Sequence, residues 1–214
     1  CVDARTGKAV WTYETENYIN GTPAIHGDRV IFGGCDGHLH VVRLRDGARV
    51  DAIDVGGFVA GSAAVIGDRA YLGNYGNRVH CVDYAKGEIL WTYHRRDFPY
   101  FSSPAVNADY VVIGGRDKHV HCIRRSDGKP VWTFRAGGNV DSSPVISKNR
   151  VIVASDKGRI HILNILDGKE LWRADLGAPI TGSPAVAGGR IYIGTETGVL
   201  YAFGKKGSVP HFNN

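Results

Sequence analysis

Five positions spaced about forty residues apart carry groups that could bind or react: Cys35, Tyr75, Arg116, Asp156 and Glu196. Close to them stand a second set, Asn17, Tyr18 and Asn20, then Asp97, Phe98, Tyr100 and Phe101, then Asn139 and Asp141. An arginine, carboxylates and aromatics gathered at one mouth suit a small-ligand or peptide site, where a few polar groups orient the ligand against apolar walls. The expected ligand- or partner-binding residues are therefore Tyr18, Asn20, Phe98, Tyr100, Arg116, Asp141, Asp156 and Glu196. Residues 95–101, RRDFPYF, break the local rhythm and are the first choice. The histidines invite a metal reading, because His38 with His40 and His119 with His121 place pairs on one face of a strand. Yet His40, His80, His121 and His161 share one column with Tyr201, which marks a packing position. No catalytic residue and no metal ligand is assigned. Asn20-Gly21-Thr22 has the pattern of a glycosylation sequon but opens an inner strand, and is read as structural.

Such distant residues meet only if the chain repeats. The stretches beginning at Ile19, Val59, Tyr100, Val140 and Ile180 align with one another almost without insertion, as five copies of about forty residues. Each copy holds four short runs rich in Val, Ile and aromatics, separated by Gly, Asp, Asn or Lys turns, and no helical stripe. The expected fold is all-β, a β-propeller of four-stranded antiparallel blades. Its blade-to-blade connections and second-to-third strand turns open on the same end, which brings the candidate residues together. The expected division is a partial blade at 1–18, blades at 19–58, 59–99, 100–139 and 140–179, and a partial blade at 180–206. A loose tail follows at 207–214. Residues 1–18 and 180–206 each supply part of a blade. The expected parent is a longer propeller of about eight blades, and a five-bladed ring closed by Ala9–Glu14 is the alternative.

A glycine recurs between the third and fourth strands as Gly7, Gly47, Gly87, Gly128 and Gly168. Four residues later come Trp11, Trp91, Trp132 and Trp172, the only tryptophans in the chain. An indole there is expected to lie over the adjacent blade's glycine turn and to contribute about 2–3 kcal/mol. Asp51 holds the equivalent place in one copy, where a weaker seam is expected. Cys1, Cys81 and Cys122 also share a column, and are expected to be buried free thiols beneath the rings.

The string Cys1, Asp3, Thr6, Gly7, Trp11, repeated as Cys81, Asp83, Gly87, Trp91, resembles the tryptophan-docking motif of the PQQ-like β-propeller repeat family. The resemblance runs from residue 1 to about 206. That family includes quinoprotein alcohol dehydrogenases and the outer-membrane assembly factor BamB. It implies docking roles for Gly7, Trp11, Gly87, Trp91, Gly128, Trp132, Gly168 and Trp172.

Composition excludes little: 43% hydrophobic and 22% charged residues with a net charge of +5 describe an ordinary folded domain. No run reaches the length of a membrane span. The Lys and Arg residues are scattered, so no nucleic-acid surface is expected. By resemblance, the blades look like those of a non-catalytic binding or scaffold module of the BamB type, with protein or peptide partners. An exported, periplasmic bacterial setting and a membrane-associated complex are implied in the same way. No cofactor is expected. The alternatives are a fragment of a quinoprotein dehydrogenase, which would hold PQQ with Ca²⁺, and a ligand-sensing ectodomain of a larger protein.

Overall fold

The computed structural model describes residues 1–204, so the tail expected at 207–214 lies outside the described residues. These residues form five antiparallel sheets arranged as the blades of a propeller. The first is β1 (Ala24–His26), β2 (Arg29–Gly33), β3 (His38–Arg43) and β4 (Arg49–Asp54), paired in that order. The second is β5 (Ala64–Ile66), β6 (Arg69–Gly73), β7 (Val79–Asp83) and β8 (Glu88–Tyr93). The third is β9 (Ala105–Val106), β10 (Tyr110–Gly114), β11 (His119–Arg124) and β12 (Pro130–Arg135). The fourth is β13 (Val145–Ser147), β14 (Arg150–Ala154), β15 (Arg159–Asn164) and β16 (Glu170–Asp175). The fifth has three described strands, β17 (Ala185–Ala187), β18 (Arg190–Gly194) and β19 (Leu200–Phe203). The short strands β1, β5, β9, β13 and β17 neighbour one another in that order.

The second and third strands of the inner sheets are almost continuously buried, which is why they read as unbroken hydrophobic runs. Both of their faces meet another sheet. The core is consequently a series of seams. Ile31, Leu39 and Val41 pack with Ala70, Leu72 and Val82. Tyr71, Val79 and Cys81 pack with Val111, Ile113 and Ile123. Val112, Val120 and Cys122 pack with Val151, Val153 and Leu163. Each of the first four sheets also carries one β-bulge between its third and fourth strands, as where Cys122 pairs with Trp132 but Ile123 with Pro130. A bulge adds twist and re-aims the outer strand.

Residues 1–11 form no strand. They make a hairpin with a single bridge, Val2 to Ala9, which lies against the first sheet through Trp11 and Tyr13. Among the described residues, 9–14 are not part of the fifth sheet. Cys1 is exposed, not buried as its column suggested, whereas Cys81 and Cys122 are buried. Burial pushes the Cys122 thiol up to about 12, consistent with its packing role.

The rings meet the turns of the next sheet. Trp11 lies on Gly47, Trp91 on Gly128 and Trp132 on Gly168. The indole Nε1 groups donate to Leu44 O at 2.8 Å, Arg125 O at 3.0 Å and Ile165 O at 2.7 Å. Gly7 has no ring over it, and Trp172 meets no glycine turn among the described residues; its ring touches Phe203 at 5.1 Å. At the Asp51 seam the Asp51 carboxylate approaches Gly87 instead. There the Tyr84 hydroxyl lies 2.8 Å from His26 Nδ1 and donates to Gly67 O.

A second tie runs beside the inner strands. The backbone N–H groups of Thr22, Ser62, Ser103 and Ser143 donate in turn to the hydroxyls of Ser62, Ser103, Ser143 and Ser183, at 2.8–3.0 Å. Each hydroxyl thus joins one blade to the next. Ser103→Ala leaves the Ser62 N–H without its acceptor and is expected to cost about 1 kcal/mol in urea unfolding, without changing the slope of the transition.

Candidate functional site

Two families of loops meet at one end of the sheets, and their backbones hold them together. In every blade the turn between the second and third strands donates an N–H to the connection from the preceding blade. The pairs are Cys35 to Tyr18, Tyr75 to Phe58, Arg116 to Pro99, Asp156 to Asn139 and Glu196 to Pro179, at 2.8–3.1 Å. The two sets of candidate residues therefore share one surface.

On that surface the structure brings five side chains into a ladder. The Phe58 and Tyr75 rings are 6.2 Å apart, and Tyr75 stacks on Phe101 at 4.2 Å. The Arg116 guanidinium lies 3.9 Å over the Phe101 ring. Its far edge donates to Asp141 from Nε at 3.1 Å and from Nη2 at 2.8 Å. This bidentate pair raises the Arg116 pKa, the hydrogen bond to Asp141 contributing most, and holds the guanidinium in place. Phe58 and Tyr75 remain about half exposed, so one end of the ladder is open to a partner. Phe58 was missed in the sequence, although it occupies the same connecting position as Tyr18.

The other candidates divide. Phe98 is exposed on this face, and Tyr18, 80% exposed, stands at the first blade. The Asn20 amide donates to Cys35 Sγ at 3.3 Å. Asp156 packs against Gly138, and Glu196 is exposed at the fifth blade. Tyr100 is a correction: it is 2% exposed and offers nothing to a partner. It shares the column of Val59, Val140 and Ile180, which plug the seams, and its ring sits edge-on to His121 at 5.3 Å. Burial raises its hydroxyl pKa strongly.

The histidine column lies behind this face, inside the seams. The Tyr93 hydroxyl is 3.0 Å from His121 Nδ1, and His121 Nε2 is 3.0 Å from Asp117 Oδ1. A carboxylate only accepts, so Nε2 carries the proton and Nδ1 takes the tyrosine's. Tyr13, His40 and Asp36 repeat the arrangement at 3.1 and 2.9 Å. In both cases the tyrosine belongs to the hairpin preceding the histidine's sheet, so the relay ties neighbours together. Burial lowers the pKa of His121 despite Asp117. Burial acts to raise Asp117, but bonding and charge from His121 and His119 outweigh it and hold the carboxyl below its usual value. Neutral histidine and ionised aspartate result.

A planar quinone with Ca²⁺, the dehydrogenase alternative, would require an oxygen-rich cage for the cation. Among the described residues no three His, Cys, Asp or Glu side chains are grouped to hold a metal ion. Asp141 is paired with Arg116 at 2.8 Å, while Asp156 Oδ1 is buried without a hydrogen-bond partner among the described residues. No helix of the described residues is long and apolar enough to cross a membrane.

The family described as outer membrane protein assembly factor BamB matches residues 1–134, 75–169 and 116–210. No curated protein matches the chain. Among solved structures, BamB from Moraxella catarrhalis superposes with a TM-score of 0.79 at 23% identity, over 92% of this chain and 64% of that one. The computationally designed Ika8 protein gives 0.82 at 16% identity, over 94% and 63%. A quinohemoprotein alcohol dehydrogenase from Pseudomonas putida gives 0.76 at 15% identity, over 90% and 41%. The chain thus spans less than two thirds of each, and at these identities the likeness is one of fold.

Proposed function

The chain belongs to the family of outer membrane protein assembly factor BamB, and from that premise we propose that it is a non-catalytic binding module whose loop face receives protein or peptide partners. In this reading it is an exported bacterial protein, works in the periplasm and contributes to a membrane-associated complex. The observation that carries the reading is the ladder from Phe58 through Tyr75, Phe101 and Arg116 to Asp141. Tyrosine and arginine are over-represented where binding energy concentrates, because they offer rigid area with polar edges. A stacked row held by a bidentate ion pair is already ordered, so little side-chain entropy is lost when a partner arrives. The blades behind it are fixed by indoles, hydroxyls and buried relays, which makes them a rigid support.

Selection of displayed random peptides against the full chain tests this. Peptides that bind the native protein are expected to lose at least tenfold in affinity when Phe101 and Arg116 are both changed to alanine, with the thermal midpoint little altered. A selection that returns no binder, or binders indifferent to both changes, removes the reading.

A further inference from the structure

Beside the ladder runs a basic groove that shares Arg116 with it. A hollow of about 470 Å³ is lined by Arg96, Phe98, Arg116, Lys118, His119 and Arg135, together with the buried Asp117. A second, of about 500 Å³, is lined by Arg135, Arg159, His161, Glu170 and Arg173. Arg135, at the end of β12, lines both, so the two hollows adjoin at the third blade, the first on the side of the connection from the second sheet and the second in the seam with the fourth sheet. In the sequence these cations are scattered from residue 96 to residue 173, and only the fold collects them.

Charge in the groove is not balanced from within. Arg116 is paired with Asp141 at 2.8 Å, Arg159 with Asp175 at 3.3 Å and Arg173 with Glu170 at 3.7 Å. Arg96, Lys118 and Arg135 make no ion pair among the described residues. His161 is buried, and its Nε2 has no hydrogen-bond partner among the described residues while Nδ1 meets Glu170 at 2.6 Å. Phe98 adds an exposed apolar wall.

We propose that this groove binds an acidic, extended peptide segment of a partner protein, with carboxylates seated on Arg135 and on Arg96 with Lys118, and an apolar side chain against Phe98. This rests on the binding-module reading and names the chemistry of its partner. Arginine forks match carboxylates in a bidentate manner. Two hollows joined end to end are longer than a lone phosphate or carboxylate requires, and suit a chain with anionic groups spaced along it. Cations outnumber Asp117 and Glu170 in the lining, and such an excess attracts anionic segments and speeds encounter.

The test is fluorescence anisotropy with a labelled peptide of alternating Glu, Asp and Leu, against the same peptide with Gln and Asn for the acids. The acidic peptide is expected to bind and the neutral one not, with affinity falling as salt rises. Arg96→Glu with Arg135→Glu is expected to weaken binding at least tenfold. Arg45→Glu with Lys86→Glu, in turns at the opposite end of the blades, is expected to leave it unchanged. Thermal melting reports whether each variant folds, and Arg135→Gln replaces the double variant if that one does not. Equal binding of the two peptides, or an equal loss in both charge-reversed variants, overturns the proposal. Displacement of the acidic peptide by inorganic phosphate at low millimolar concentration overturns it in favour of a small-anion site. Selected peptides that depend on the ladder but carry no acidic residues sink this inference alone. A selection that returns no peptide sinks the binding-module reading itself.

Discussion

Replacing Trp91 with alanine is expected to lower the unfolding free energy by about 3–5 kcal/mol, the range for removing a large aromatic from a packed core. Trp91 is 9% exposed and packs with Tyr71, Cys81, Val111 and Ile123 across the seam between the second and third sheets. Its loss leaves a cavity and also orphans the Arg125 carbonyl that its Nε1 satisfies. The partner glycine gives a sharper test. Gly128 has φ of +73°, and a Cβ there would sit 2.8 Å from the indole. Gly128→Ala therefore carries two costs, a left-handed backbone and a collision with the ring. In the Trp91→Ala background the collision is gone and only the backbone cost, about 1 kcal/mol, remains. A double-mutant cycle should thus be strongly non-additive. Strict additivity would mean that ring and turn do not act as a unit. Trp172→Ala, at a ring 37% exposed with no glycine turn against it, is expected to cost markedly less.

That contrast shows what the sequence could and could not disclose. The forty-residue period fixes strand count, strand order and the end of the blade on which a loop emerges, because each copy must bury the same faces. Trp91 and Gly128 were legible as partners for this reason. The same periodicity misled at Tyr100: a connecting residue next to the exposed Phe98 looked available, but its column is the one that plugs the seam. The ladder was half legible. Tyr75, Arg116, Phe101 and Asp141 could be placed on one face, yet their stacking order depends on loop conformations that no period dictates. The serine hydroxyls escaped notice altogether. A small residue beside Gly21, Gly61 or Gly182 explains itself by crowding, and nothing in a column of Ser and Thr says that its serines each accept a bond from the blade before. The basic groove was hidden because its cations come from different repeats and different columns.

Acidification is expected to weaken the fold well before the carboxylates titrate, and His80 should dominate the first stage. Burial lowers its pKa to about 4, with the Arg78 charge acting in the same direction. A backbone hydrogen bond to Val55 favours the protonated ring, but burial outweighs it. Nδ1 lies 3.0 Å from Thr92 Oγ1, and Nε2 faces the Asn74 amide nitrogen at 3.4 Å, which donates to it. A proton on Nε2 would set one donor against another. His121 and His40 each face an aspartate that partly compensates a proton, and His80 has none. The unfolded chain binds a proton near the ordinary histidine value of about 6.5, while the folded one resists until about 4. In that interval the unfolded state holds more protons, so stability is fully present above about 6.5 and is lost as pH falls. The loss from His80 alone should reach roughly 3 kcal/mol by pH 4. Asp36 and Asp117, whose pKa values are lowered in the fold, add a separate loss only below the ordinary carboxylate value near 4. Urea unfolding from pH 7.5 to 4.5 reads the first stage directly. His80→Gln should lower stability at pH 7.5 through its lost hydrogen bonds, then show a much shallower decline on acidification than the native chain. Parallel curves for the two proteins would mean that the proton is taken up elsewhere, and the carboxylate-free histidine would not be the acid-sensitive point of the blade.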